Sequence, residues 1–98
     1  YIDDLIDFID KCIQNQDSQY ELYNCGAGEA YPILDLAKCI MELNDKELEF
    51  KFDLTKPDIP TTVILDCSKA KEQLGWSPKV DVAEGLRRTS EWYKTNVQ

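Results

Sequence analysis

The residues best suited to bind a ligand are a lysine and an aspartate on either side of a proline, Lys56-Pro57-Asp58. A lysine ammonium is a point charge suited to phosphate, and a carboxylate accepts hydrogen bonds from sugar hydroxyls. Pro57 and Pro60 place both side chains in a loop, where binding residues commonly lie. We therefore predict that Lys56 and Asp58 bind substrate, with a merely solvated loop as the alternative.

A second motif, Gly26-Ala27-Gly28, lies between a predicted strand and a predicted helix. This order is typical of a dinucleotide-binding loop, but that loop needs a third glycine where its helix meets its strand. Tyr31 occupies the third position. We therefore predict a tight turn that uses the left-handed conformation open to glycine, and no cofactor-binding residue.

Neither the acidic residues nor the cysteines form a recognisable metal or catalytic motif. Asp3, Asp4, Asp7 and Asp10 lack a calcium loop and are predicted to be solvated residues of a first helix. The chain has no histidine and no C-x-x-C pair, so no metal site is predicted. The four cysteines are interpreted as buried free thiols, which are typical of a reducing cytoplasm. They are Cys12, Cys25, Cys39 and Cys67.

Length and charge restrict the classes of function. The chain has 98 residues, 43% of them hydrophobic, which predicts one small folded domain. A net charge of -8 repels nucleic acid and anionic membrane surfaces. No apolar run reaches the ~20 residues of a membrane helix, so neither nucleic acid nor membrane is an expected partner. Because the chain begins with Tyr1, we expect a piece of a longer protein.

Hydrophobic periodicity positions these motifs on seven elements. Apolar residues three and four apart predict helices, and alternation predicts strands. The helices are predicted at 2–15, 32–43, 68–75 and 82–96, and the strands at 20–25, 48–52 and 61–65. This order predicts an α/β fold, a small three-stranded sheet with about four helices. Trp76, which follows Gly75 and precedes Pro78, is predicted to be a hydrophobic plug over the core.

Several short motifs then follow one another along the whole chain. They are Tyr1-Ile2-Asp3-Asp4-Leu5, Tyr23-Asn24-Cys25-Gly26-Ala27-Gly28, Ile33-Leu34-Asp35-Leu36, Leu65-Asp66-Cys67-Ser68-Lys69-Ala70, Leu74-Gly75-Trp76-Ser77-Pro78, Glu84-Gly85-Leu86 and Trp92-Tyr93. In this order and spacing, the chain resembles the C-terminal region of the extended short-chain dehydrogenase/reductase family. These are the NAD-dependent epimerases and dehydratases that act on nucleotide sugars.

The resemblance implies that residues 1–98 are a single C-terminal, substrate-side domain of a Rossmann-type enzyme. The N-terminal NAD(P)-binding Rossmann domain is then absent from this sequence. The whole protein is expected to bind NAD or NADP and to act on a nucleotide sugar, and a homodimer is one expected oligomeric state. These 98 residues alone are expected to bind no cofactor. Family members use a Tyr-x-x-x-Lys pair for proton and hydride transfer, and no tyrosine here has a lysine four residues later. No catalytic residue is therefore predicted, and this region alone is not expected to be an enzyme.

Residue by residue, the resemblance carries over only partly. Lys56 falls where family members have an arginine that holds the substrate's phosphates, and Asp58 lies one place before the family's aspartate, at Ile59. Thr61 and Thr62 occupy a region where some members have another arginine. The sugar, the base and the reaction type stay open. The alternative class of function is a stand-alone acidic structural or protein-interaction module without catalysis.

Overall fold

Four α-helices are the regular structure of residues 1–97, the part of the chain that the computed structural model describes. They are α1 (Ile2–Asn15), α2 (Ile33–Leu43), α3 (Ser68–Leu74) and α4 (Val82–Asn96). The four predicted helices are confirmed, each within one residue of its predicted bounds. Helix α1 packs against α3, and α2 packs against α4. None of these helices has the length and apolar content needed to cross a membrane.

Local signals explain where the helices begin and end. The Asp81 carboxylate caps α4 by accepting the Glu84 N–H at 2.8 Å. Cys67 is the N-cap residue of α3 and makes no side-chain capping bond, but the Asp66 carboxylate just before it accepts the Ser68 N–H at 3.0 Å. Helix α3 ends at Gly75, which adopts a φ of 66°, a left-handed conformation that glycine adopts without strain.

The core is small and is built around Trp76. Three hydrophobic residues are buried, namely Ala70, Leu74 and Trp76, and the indole is only 2% exposed. The Phe8 ring meets it edge-on, with 5.3 Å between the ring centroids. An edge-to-face pair adds to the stabilisation from burial alone. The prediction that Trp76 is a hydrophobic plug is therefore confirmed.

Asp4 connects α1 to the segment that follows Trp76. The Trp76 indole N–H donates to the Asp4 carbonyl at 2.9 Å. The Asp4 carboxylate accepts the backbone N–H groups of Lys79 at 3.0 Å and Val80 at 3.1 Å. Because this side chain is only 7% exposed, the prediction of a solvated Asp4 is wrong. A buried carboxylate needs such donors to offset its lost hydration.

The predicted three-stranded sheet, and with it the α/β class, is wrong for residues 1–97. The segments 20–25, 48–52 and 61–65 form no strand. The first segment contacts the residue that follows the third, since the Asn24 side-chain Nδ2 donates to the Asp66 backbone carbonyl at 3.1 Å. No backbone hydrogen bond joins these two segments within the described chain. Alternating hydrophobicity predicted segments with one apolar face, as strands of a sheet have. A strand also needs a neighbouring backbone to which it can hydrogen-bond.

Much apolar surface stays uncovered. The isoleucines of α1 are exposed, with Ile13 78% exposed, and Trp92 of α4 is 60% exposed. The molecule measures 51 × 35 × 18 Å and exposes 8256 Å². A compact protein of this mass exposes about 5700 Å². The excess of roughly 2500 Å² agrees with the thin shape of the molecule and with its exposed apolar side chains.

We predict that Asp4→Asn lowers the free energy of unfolding by about 2 kcal/mol, because one of two backbone donors then faces an amide NH2 instead of a carboxylate oxygen. Chemical denaturation of the full-length protein measures the change. Asp3→Asn, one residue away on the exposed side of α1, should change it by less than about 0.5 kcal/mol. Equal effects of the two substitutions would contradict the role given to Asp4.

A second prediction concerns pH. Hydrogen bonds from Arg87 and Arg88 lower the pKa of Glu84 from 4.5 to about 2. A depressed carboxyl pKa stabilises the folded state above its unfolded value, and this contribution disappears as pH falls from 4.5 towards 2. Glu84→Gln should therefore flatten the fall in melting temperature over that window. Glu72→Gln, on the exposed surface of α3, should leave the slope unchanged, and an unaltered slope in Glu84→Gln would contradict the prediction.

Candidate functional site

The largest cavity lies between two walls of irregular chain. Residues 29–34 form one wall, where the chain leaves Gly28 and enters α2, and residues 58–63 form the other. The space between them is about 1000 Å³, at the upper end of the range for small-molecule sites. Gly28 has a φ of 73°, the left-handed conformation predicted for glycine in this motif, and it lies immediately before the first wall.

The structure places Asp58 on the second wall of this cleft. Within residues 1–97, its carboxylate has no hydrogen-bond or ion-pair partner, so it is free to accept bonds from a ligand. The wall bends after Asp58, where the Thr61 N–H donates to the Ile59 carbonyl at 2.7 Å. Thr61 and Thr62 add hydroxyl groups to the same wall.

Lys56 lies in the turn that leads to this wall and does not line the cleft itself. Its N–H donates to the Asp53 carbonyl at 3.3 Å. The Asp53 carboxylate accepts the Thr55 hydroxyl at 2.6 Å and the Thr55 N–H at 3.1 Å. These bonds lower the pKa of Asp53 and hold the turn in shape. Asp53 was not recognised from the sequence, although an aspartate two residues before a threonine is a known turn signal.

Sequence reasoning also missed the pair that forms the first wall, Glu29 and Tyr31. The Tyr31 hydroxyl donates to the Glu29 carboxylate. That hydrogen bond, followed by partial burial, raises the pKa of Tyr31. Tyr31 had been considered only as the residue that replaces a third glycine. The signal that could have found it is the following Pro32, which restricts the backbone of the residue before it.

The Gly26-Ala27-Gly28 turn packs against protein. A Cβ at Gly26 would lie 3.3 Å from the Leu65 side chain and 3.7 Å from the Cys67 sulfur. The Cys67 thiol donates to the Gly26 carbonyl at 3.5 Å. The missing side chain therefore allows close approach of the 61–67 segment, which is a packing role rather than a phosphate-binding one.

The cysteines are free and half-buried. Burial, and then the neighbouring Cys67, raises the pKa of Cys25, which keeps this thiol protonated and unreactive. Among the described residues, no group of three histidine, cysteine, aspartate or glutamate side chains is arranged to hold a metal ion.

Two plant proteins are similar to this chain over most of its length. It is 36% identical over 99 residues to a putative GDP-L-fucose synthase 2 of Arabidopsis thaliana, covering 99% of this chain and 29% of that one. It is 35% identical to UDP-glucuronic acid decarboxylase 3 of the same plant, covering 88% of this chain and 25% of the relative. The chain belongs to the extended short-chain dehydrogenase/reductase family. No family model matches it.

A solved structure has the same fold in the matching region. It is the UDP-glucose 4-epimerase of Bifidobacterium longum, in complex with NAD+ and UDP. The TM-score is 0.83 at 22% identity, over 95% of this chain and 28% of the epimerase. The chain thus spans less than a third of the length of these relatives.

We predict that Glu29→Gln lowers the pKa of Tyr31 towards its ordinary value of 10.0, because the hydroxyl loses its hydrogen bond to a carboxylate and also the nearby negative charge that disfavours tyrosinate. Titration of the Tyr31 ring signals by NMR measures the pKa. Glu21→Gln, which removes a carboxylate outside the cleft, should leave it unchanged. A Tyr31 pKa that does not fall in Glu29→Gln would contradict the hydrogen bond.

Proposed function

We propose that this chain is the C-terminal, substrate-binding region of an NAD(P)-dependent nucleotide-sugar epimerase, dehydratase or reductase. The observation that carries the proposal is the identity of 35–36% to two relatives, spread over 88–99% of the chain. The names of both relatives, and of the structural neighbour, contain a nucleotide sugar as substrate or product. The ordered motifs of the sequence agree with this family-wide substrate class.

The cleft supports this proposal through the chemistry of its walls. Asp58 and Glu29 contribute carboxylates, and Thr61 and Thr62 contribute hydroxyls. Carboxylates accept bonds from sugar hydroxyls but repel a diphosphate. We therefore assign Asp58 to the hydroxyl-bearing part of the ligand and Lys56, at the approach to the same wall, to its phosphates. Lysine acts here as a point charge, without the two-pronged geometry of arginine.

The uncovered surface supports the existence of a neighbouring domain. The exposed isoleucines of α1 and the segments 20–25 and 61–65, which form no strand, offer apolar side chains that a neighbouring domain would cover. A Rossmann domain that holds NAD(P) would supply both a sheet edge and a second layer. Since the chain has no Tyr-x-x-x-Lys pair, proton and hydride transfer are assigned to that domain.

The alternative of a stand-alone acidic interaction module gains no support from these relatives, whose names are those of enzymes.

We predict that Lys56→Ala in the full-length protein weakens nucleotide-sugar binding about tenfold, because one charge-assisted contact to phosphate is lost. Calorimetric titration with a GDP-sugar, a UDP-sugar and a dTDP-sugar identifies the ligand and measures the loss. Raising the salt concentration should reduce the difference between wild type and variant, as expected for a partly exposed charge.

The matched control is Lys71→Ala, which removes an equal charge from the exposed surface of α3. It should leave the affinity within about twofold of wild type. Unchanged affinity in Lys56→Ala would remove Lys56 from the site. Failure of the wild-type protein to bind any of the three nucleotide sugars would refute the proposed function as a whole.

A further inference from the structure

One aromatic ring stands in the wall of the cleft. Tyr31 is the only aromatic residue among the described residues that line it, and its side chain is 40% exposed. Trp76, by contrast, is 2% exposed and fills the core. Tyr31 therefore lines the cleft with ring surface that is still accessible, whereas the Trp76 ring has almost none.

The Tyr31 ring is held in place from two sides. Its backbone precedes Pro32, which restricts it to an extended conformation, and Pro32 in turn leads directly into α2. Its hydroxyl donates to the Glu29 carboxylate two residues earlier. A ring fixed at both ends loses little conformational entropy when a ligand binds, so more of the contact energy appears as affinity.

The chemistry around the ring favours a flat, uncharged partner. Glu29 and Asp58 place carboxylates in the cleft, and no lysine or arginine lines it among the described residues. A diphosphate is repelled there, whereas an aromatic base has faces that stack on a tyrosine ring and an edge that hydrogen-bonds to carboxylates and hydroxyls. Of the parts of a nucleotide sugar, the base therefore fits this wall best.

We propose that the Tyr31 ring is the stacking platform for the nucleobase of the substrate, and that Glu29 is the residue that positions it. This inference rests on the proposed function and deepens it, because it assigns the base to the wall formed by residues 29–34. The diphosphate then extends from the cleft towards Lys56.

The test compares ligands with and without a base on variants of the full-length protein. Tyr31→Ala should weaken binding of the nucleoside diphosphate about 5- to 160-fold, the range that stacking of one base supplies. Tyr31→Phe keeps the ring and should stay within about threefold of wild type. Binding of the matching sugar 1-phosphate, which has no base, should be unchanged in both variants. Tyr20→Ala, an exposed tyrosine outside the cleft, is the positional control.

Glu29→Gln should weaken the nucleoside diphosphate but not the sugar 1-phosphate, which a general loss of structure would not do. In the wild-type protein, saturation transfer from the Tyr31 ring should reach the base protons, whether or not the variants fold. Equal losses for both ligands, or no transfer to the base, overturn the inference while leaving the proposed function intact. Absence of any nucleotide-sugar binding overturns both.

Discussion

The structure depends on one buried carboxylate. The Asp4 backbone carbonyl accepts the Trp76 indole N–H, and the Asp4 carboxylate accepts the backbone N–H groups of Lys79 and Val80. Without these bonds, the largest core residue would bury an unsatisfied donor, and the chain after Trp76 would leave two more near a low-dielectric interior. Because Asp4 is on α1 and Trp76 follows α3, the same group aligns the first helix with the third.

The shape of the cleft depends on this alignment of α1 with α3. Helix α3 binds the segment before the glycine turn, since Lys69 pairs with Glu21 at 2.7 Å and lies over the Tyr23 ring. Beyond that segment, Gly26 lets the chain pack on the 61–67 region, and Gly28 turns it towards Tyr31. The two walls are therefore the continuations of two segments that meet near α3, so a change at the core would alter the distance between them.

The sequence predicted the helices well and the sheet wrongly, for one physical reason. Helices satisfy their backbone internally, so local periodicity and caps such as Asp81 suffice to locate them. A strand needs a partner, and the alternation of residues 48–52 contains no information about where that partner lies. Asp58 could be proposed from its loop, whereas Tyr31 could not, because its role depends on Glu29 and on a wall that forms only in three dimensions.

The three-residue core has a thermodynamic consequence. The heat-capacity change of unfolding follows the apolar area that becomes exposed, and this region alone buries little of it. Its intrinsic stability curve should therefore be shallow and its melting broad. Docked on a neighbouring domain, the same apolar side chains would enter a shared interior, and the region would melt together with its neighbour.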